Sequence, residues 1–158
     1  MRAFREKFPA IQLILREGVT DDQLSDVEAG VLDVALVRGP IARASLRIDT
    51  LRREAVVLAV PTDHPLSSRA AIAWADLADY GFVMFPRSAA PPLYDAIIAQ
   101  CARAQFVPRV VHEATDWSTV SALIAAGEGI GFATESASRF HVAGVARVCR
   151  TRGAELRG

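Results

Sequence analysis

The chain has 158 residues, of which 51% are hydrophobic and 23% charged, so it can bury one sizeable core or two small lobes. Lysine plus arginine equals aspartate plus glutamate at 18 each, which excludes a strongly basic surface that would hold nucleic acid. No apolar run reaches the roughly 20 residues of a membrane span, and the N-terminus lacks the apolar core of a signal peptide, so we expect a cytoplasmic protein without membrane contact.

The N-terminal third predicts helix and strand in alternation. Residues 1–8 are typical of the last part of a helix, because a proline follows them. Residues 11–17 predict a strand, and residues 20–30 predict a helix that ends at a glycine. Residues 31–37 are almost continuously apolar, as in a parallel strand covered on both faces. Residues 46–51 alternate apolar and polar side chains.

The remainder repeats this alternation. The segment from Val120 to Glu135 carries the clearest pattern, since Val120, Leu123 and Ile124 share a helix face, Gly127 ends the helix and a short apolar strand follows. The expected elements are strands at 55–60, 82–85, 108–113, 129–132 and 145–149, a helical turn at 76–80, and helices at 91–103 and from Asp116 onward.

Two cysteines, Cys101 and Cys149, lie far apart and match no metal-binding spacing. Cys101 follows Ile97 and Ile98 in a helical pattern, so we expect a buried apolar residue rather than a redox switch. Neither a disulfide framework nor a metal site is predicted.

Three strand-to-helix turns are candidates for a ligand site, at 17–21, 85–91 and 113–118. In open α/β sheets, ligands bind beyond the carboxyl ends of the strands, and each of these turns leads into a helix N-terminus that attracts anions. Thr20 with Gln23 forms a capping-box pattern, so its hydroxyl either only caps the helix or also contacts a ligand. At the third turn, Thr115 or Asp116 is the expected cap.

The middle turn has a different composition. It supplies an apolar wall, a guanidinium and a hydroxyl from Phe85, Pro86, Arg87 and Ser88. No acid follows until Asp95, so Arg87 is the expected source of positive charge. Arg38, at the end of another predicted strand, could face the same crevice. For both arginines the alternative is a solvated surface charge.

Several segments together resemble one family. They are FREKFPAIQLILREG at 4–18, AGVLDVALVRGP at 29–40, VVLAVPTDHPL at 56–66, DLADYGFVMFPR at 76–87 and LIAAGEGIGFATES at 123–136. In their order and spacing they resemble the effector-binding domain of LysR-type transcriptional regulators, across nearly the whole chain up to about Arg150.

The resemblance implies an α/β fold of two Rossmann-like lobes, similar to type 2 periplasmic binding proteins. It implies a small-molecule effector, often an organic acid, in the cleft between the lobes, and a homodimer that uses helices such as 21–29 and 91–103. DNA would be bound only through a DNA-binding domain absent from this chain. Carried over, the cleft residues are Thr20, Arg38, Phe85, Pro86, Arg87, Ser88, Thr115 and Asp116.

The first strand of the sensor domain is also missing from the pattern, so the first lobe is expected to be incomplete and the chain to be a fragment. We expect the first lobe at 1–54 with a return segment at 143–150, the second lobe at 55–142, and a disordered tail at 151–158.

Three other functions are possible from the sequence. A solute-binding protein would need a signal peptide, and a remnant that acts only by dimerisation stays open. An enzyme is not predicted, because His64, His112 and His141 are scattered and no catalytic, phosphate-binding or dinucleotide-binding motif is present. No catalytic residue, metal or cofactor is expected.

Overall fold

A five-stranded mixed sheet with helices on both faces forms the folded body of the chain, in a computed structural model that describes residues 2–37, 39, 41–52, 54–137 and 141–148. In chain order the elements are α1 (Arg2–Lys7), α2 (Thr20–Glu28), β1 (Val56–Pro61), a 3-10 turn (Trp74–Leu77), β2 (Gly81–Met84), a second 3-10 turn (Arg87–Ala89), α3 (Pro91–Arg103), β3 (Arg109–Glu113), α4 (Trp117–Ala125), β4 (Ile130–Thr134) and β5 (Val145–Val148). From β1 onward, these elements confirm the predicted ones.

The strands lie in the order β3-β2-β4-β1-β5. β2 is parallel to both β3 and β4, whereas β1 is antiparallel to β4 and to β5. The helices α3 and α4 connect the three parallel strands, as expected for strands that need crossover connections. The three parallel strands therefore end at the same edge of the sheet.

The central strands of the sheet, β2, β4 and β1, are buried on both faces. On one face, Phe82, Phe132 and Leu58 pack with Ile97 and Cys101 of α3. On the other face, Ala59 and Val83 pack against Val120 and Ile124 of α4. The apolar runs of β1 and β4 follow from this, because residues pointing to either face enter a core. The prediction that Cys101 is a buried apolar residue is confirmed.

Two glycines fix how α4 lies on the sheet. Gly127 ends the helix with a φ of 81°, a left-handed conformation that favours glycine. A Cβ on Gly131 would lie 2.7 Å from the carbonyl oxygen of Val83 and 2.9 Å from Cδ1 of Ile124. The absence of a side chain at Gly131 therefore allows β2 and α4 to approach β4 closely.

The strands predicted at 11–17 and 31–37 are wrong, since no strand forms among the described residues before Val56. Their apolar side chains point into solvent: Ile14, Leu15, Val34 and Leu36 are 73 to 76% exposed. A strand is stable only when a neighbour pairs with its backbone and a layer covers its apolar face, and neither accompanies these segments. The helices predicted on either side of the first segment do form, as α1 and α2.

The predicted division into lobes stays a prediction. The segment 143–150, predicted to return to the first lobe, contributes Val145–Val148 as β5, which pairs with β1. The predicted tail at 151–158 and Cys149 lie outside the described residues.

Candidate functional site

The carboxyl ends of the three parallel strands lie side by side on one side of the sheet. We call this row of strand ends the carboxyl edge. β2 ends at Met84, β3 at Glu113 and β4 at Thr134. The backbone N–H of Ala114 donates to the carbonyl oxygen of Met84 at 3.0 Å, which joins the turn after β3 to the end of β2. The carboxyl edge thus brings together two of the three predicted turns, at 85–91 and 113–118.

The turn after β2 presents an apolar base and a polar tip. Phe85 and Pro86 are half-buried, and the Phe85 ring meets the ring of Tyr94 edge-on with centroids 6.4 Å apart. The chain then forms the short 3-10 turn, which leaves Arg87 and Ser88 exposed. The predicted combination of an apolar wall, a guanidinium and a hydroxyl is therefore present at this edge.

Arg87 is held by an acid of the following helix. Its Nε and Nη2 donate to Oδ1 and Oδ2 of Asp95 at 2.7 and 2.6 Å, an arrangement in which two parallel hydrogen bonds join the planar groups. These hydrogen bonds and the charge of Asp95 raise the pKa of Arg87. The hydrogen bonds from Arg87 likewise lower the pKa of Asp95. Both groups are therefore charged at neutral pH.

Asp116 caps α4. Its Oδ1 accepts from the backbone N–H of Thr119 at 2.9 Å, and its Oδ2 accepts from the Thr119 hydroxyl at 2.9 Å. The Ser118 hydroxyl also donates to Oδ1. These hydrogen bonds, that from Ser118 being the largest contribution, lower the pKa of Asp116 to about 2. Of the two predicted caps it is Asp116 that caps, while Thr115 is exposed beside it.

Of the two remaining predicted residues, only Thr20 belongs to the described part of the chain. Thr20 is the first residue of α2, and Val19 is its N-cap without a side-chain hydrogen bond, so the predicted capping box is wrong. Gln23 instead donates from Nε2 to the carbonyl oxygen of Gly18 at 2.7 Å, because its side chain folds back over the preceding turn. Arg38 lies outside the described residues.

A polar cluster at the carboxyl edge was not predicted. The Ser136 hydroxyl donates to Oε2 of Glu54 at 2.7 Å, and the Thr134 and Ser136 hydroxyl oxygens lie 3.3 Å apart. Glu54 precedes β1 and Ser136 follows β4, and these strands are antiparallel neighbours. Because 82 residues separate the two partners, no local pattern could have shown their contact.

His64 and His112 both contact neighbouring side chains or backbone. The backbone N–H of Leu66 donates to Nδ1 of His64 at 3.2 Å, and the His64 ring meets the Tyr80 ring at 4.6 Å. Burial lowers the pKa of His64, although nearby Asp63 opposes the shift. Nε2 of His112 lies 3.2 Å from Glu128. Within the described ranges, no group of three histidine, cysteine or acidic side chains could hold a metal ion, and no helix is long and apolar enough to cross a membrane.

A family model described as the LysR substrate binding domain matches residues 1–157. The HTH-type transcriptional regulator AlsR of Bacillus subtilis (strain 168) is 34% identical over 139 residues, which cover 88% of this chain and 46% of that protein. The transcriptional dual regulator GltC of the same organism is 30% identical over 136 residues, covering 85% of this chain and 44% of that protein. The chain spans under half the length of these curated relatives.

Among solved structures, the effector-binding domain of BenM with its effector benzoate superimposes with a TM-score of 0.82. The match has 22% sequence identity and covers 99% of this chain and 71% of that chain. The predicted fold class, an α/β fold similar to type 2 periplasmic binding proteins, is confirmed by this likeness.

Proposed function

The chain belongs to the LysR substrate-binding domain family, and from this premise we propose that it binds a small organic acid at its carboxyl edge, as the effector-sensing part of a transcriptional regulator. The relatives are regulators rather than enzymes, and we accordingly propose no catalytic role for any residue. The proposed ligand site consists of Phe85, Pro86, Arg87, Ser88, Thr115 and Asp116, with Thr20 and Arg38 as contributions from the first lobe.

One observation carries the choice of an acid. The Arg87 guanidinium stands exposed at the carboxyl edge and already binds a carboxylate through two parallel hydrogen bonds. Guanidinium groups recognise planar carboxylates in this geometry, which a neutral ligand does not reproduce. The half-buried rings of Phe85 and Tyr94 beside it offer an apolar surface for the body of the ligand. The benzoate of BenM, an aromatic carboxylate, belongs to this class.

Thermal-shift and calorimetric titrations with acetate, benzoate and phenylacetate, each paired with its neutral amide, test this proposal. Because a ligand at about 100 times its Kd stabilises a protein by about 2.7 kcal/mol, acids that bind should raise the Tm by several degrees, and the amides should not. Arg87→Gln should weaken the binding of an acid by about tenfold or more, since hydrogen bonds to charged groups are lost.

Arg69→Gln is the matched control. Arg69 is also exposed and also pairs with an acid, since its Nη1 lies 3.4 Å from Oδ2 of Asp76. It precedes β2, whereas Arg87 follows the carboxyl end of that strand, and the Arg69→Gln variant should bind acids like the wild type. Equal weakening in both variants would indicate a loss of general positive charge and contradict the assigned site. Failure of every acid to bind would contradict the proposed function itself.

We further propose that the complete regulator is a cytoplasmic bacterial homodimer and contacts DNA through residues outside this chain. The exposed apolar side chains before Val56 support a role for another protein surface in covering this region. They equally favour the alternative of a remnant that acts only by dimerisation. Light scattering distinguishes the two when combined with the titrations: a dimer that binds acid supports sensing, whereas a dimer that binds none of the three acids supports the remnant.

A further inference from the structure

The ion pair between Arg87 and Asp95 is an intramolecular equivalent of the contact that an acid ligand would make with Arg87. Both carboxylate oxygens of Asp95 are used, and each accepts one hydrogen bond from a different nitrogen of the guanidinium. Asp95 is the fifth residue of α3 and therefore approaches from the helix rather than from the sheet. The side of the Arg87 guanidinium formed by Nε and Nη2 is thus already occupied.

This pair is open to exchange. The side chains of Arg87 and Asp95 are 63% and 52% exposed, so water reaches both groups. Exposed ion pairs contribute little to stability because solvent screens them and because two flexible side chains must be ordered. Displacing Asp95 from Arg87 therefore does not require the fold to open.

We propose that Asp95 is an internal competitor that lowers the affinity of the site for every carboxylate. The carboxylate of the ligand takes the place of Asp95 on Arg87. This inference rests on the proposed function, since it concerns the same acid site. Asp95 thus sets the affinity that an acid needs in order to bind, without itself binding the ligand.

Competition by a tethered group sets a threshold that a ligand has to exceed. A tethered carboxylate acts at an effective concentration that is typically millimolar for short flexible connections, so a simple acid such as acetate has to exceed that level to displace it. An acid with an aromatic body gains additional contact with Phe85 and Tyr94 and can displace Asp95 at lower concentration. The site should therefore take planar carboxylates that carry an apolar, preferably aromatic, body.

Asp95→Asn tests the inference, with Asp79→Asn as the matched control. Asp79 is an exposed acid just before β2 begins, whereas Arg87 follows the carboxyl end of β2, so the two lie at opposite ends of that strand. Both variants remove one negative charge, and only Asp95→Asn releases Arg87. Calorimetry with acetate, phenylacetate and phenylacetamide should give roughly two- to fivefold tighter binding of both acids to Asp95→Asn, no change for Asp79→Asn and no effect on the amide.

The outcomes separate this inference from the proposed function. If Arg87→Gln abolishes acid binding while Asp95→Asn binds acids equally or more weakly, Asp95 positions Arg87 and the competition is refuted, although the acid site stands. If Asp79→Asn tightens binding as much as Asp95→Asn, the effect is one of net charge and the inference is also refuted. If no acid binds to any variant, both proposals fail. Far-ultraviolet circular dichroism and Tm values like those of the wild type verify that the variants are folded.

Discussion

Replacing Gly131 by alanine tests the packing on which the carboxyl edge depends. Gly131 is the second residue of β4, paired with β2 on one side and close to Ile124 of α4. The added Cβ would lie 2.7 Å from the Val83 carbonyl oxygen and 2.9 Å from Cδ1 of Ile124. Real Cβ atoms essentially never lie within 3.0 Å of another heavy atom, so some part of the structure must move.

The two clashes differ in how they can be relieved. Ile124 can change rotamer, but its side chain is fully buried and will lose packing contacts. The Val83 oxygen belongs to the backbone of β2, which pairs with β4 at this position, so it moves only if the sheet spreads. Overpacking of a core typically costs 1 to 3 kcal/mol, and we expect about 2 to 3 kcal/mol because backbone is involved. For a chain of 158 residues, the Tm should fall by roughly 4 to 12 °C.

Urea unfolding followed by tryptophan fluorescence measures this loss, because Trp74 and Trp117 lie on opposite faces of the sheet. Ile124→Val removes the atom responsible for the side-chain clash and separates it from the backbone clash in a double-mutant cycle. Gly39→Ala is the control, since the nearest atom to its added Cβ is a backbone nitrogen at 3.5 Å. A Gly131→Ala variant within about 0.5 kcal/mol of the wild type would refute the close approach of β2, β4 and α4.

Three further predictions follow from individual groups. Burial raises the pKa of Cys101 to about 11, so in a Cys149→Ser background this thiol should react with a disulfide reagent at pH 8 only as fast as the protein unfolds; rapid reaction in the native state would contradict its burial. Asp116→Ala should lower the urea midpoint above pH 4, because the helix loses its cap. The difference from the wild type should shrink as the pH falls through about 2, because the pKa of Asp116 is lowered in the folded protein and protonation removes the cap from the wild type as well. A difference that does not change with pH would contradict this role of Asp116. A chain of residues 54–150 should keep the urea midpoint of the whole chain, because α1 buries no residue and α2 buries only Leu24; a lower midpoint would show that the N-terminal part stabilises the sheet.

The elements of the sheet could be predicted because their local patterns agree with their environment. The run of apolar residues in β4 matches a strand covered on both faces, and Gly127 ends α4 where the helical spacing stops. In α3 the prolines at 91 and 92 occupy the first turn, where no backbone hydrogen bond is lost. In these segments the nearest neighbours in sequence largely determine the structure, so pattern and fold coincide.

The N-terminal segments carry similar patterns but do not form strands. Val34 and Leu36 belong to an apolar run like that of β4, yet they are 75% and 76% exposed. An apolar run shows only that its residues would suit a buried strand. Whether the strand forms depends on neighbouring strands and a covering layer, which other parts of the fold must supply. The pattern at 31–37 therefore correctly identifies an apolar segment but wrongly predicts that other elements cover it.

The difference between local patterns and contacts made elsewhere in the fold also applies to the site. It explains why the turns at 85–91 and 113–118 could be predicted, whereas the ion pair between Arg87 and Asp95 could not. Phe85 to Ser88 and Thr115 to Asp116 follow strands directly, so the carboxyl edge could be inferred from the order of the elements. Arg87 offers a free positive charge only if Asp95, eight residues later, does not pair with it. Asp95 lies near the start of α3, which places its carboxylate within reach of the guanidinium. Because this pair neutralises itself, the site attracts an acid only to the extent that the acid is a better partner than Asp95. Discrimination between acids should therefore depend on the apolar contacts that accompany the carboxylate, since every carboxylate faces the same competitor.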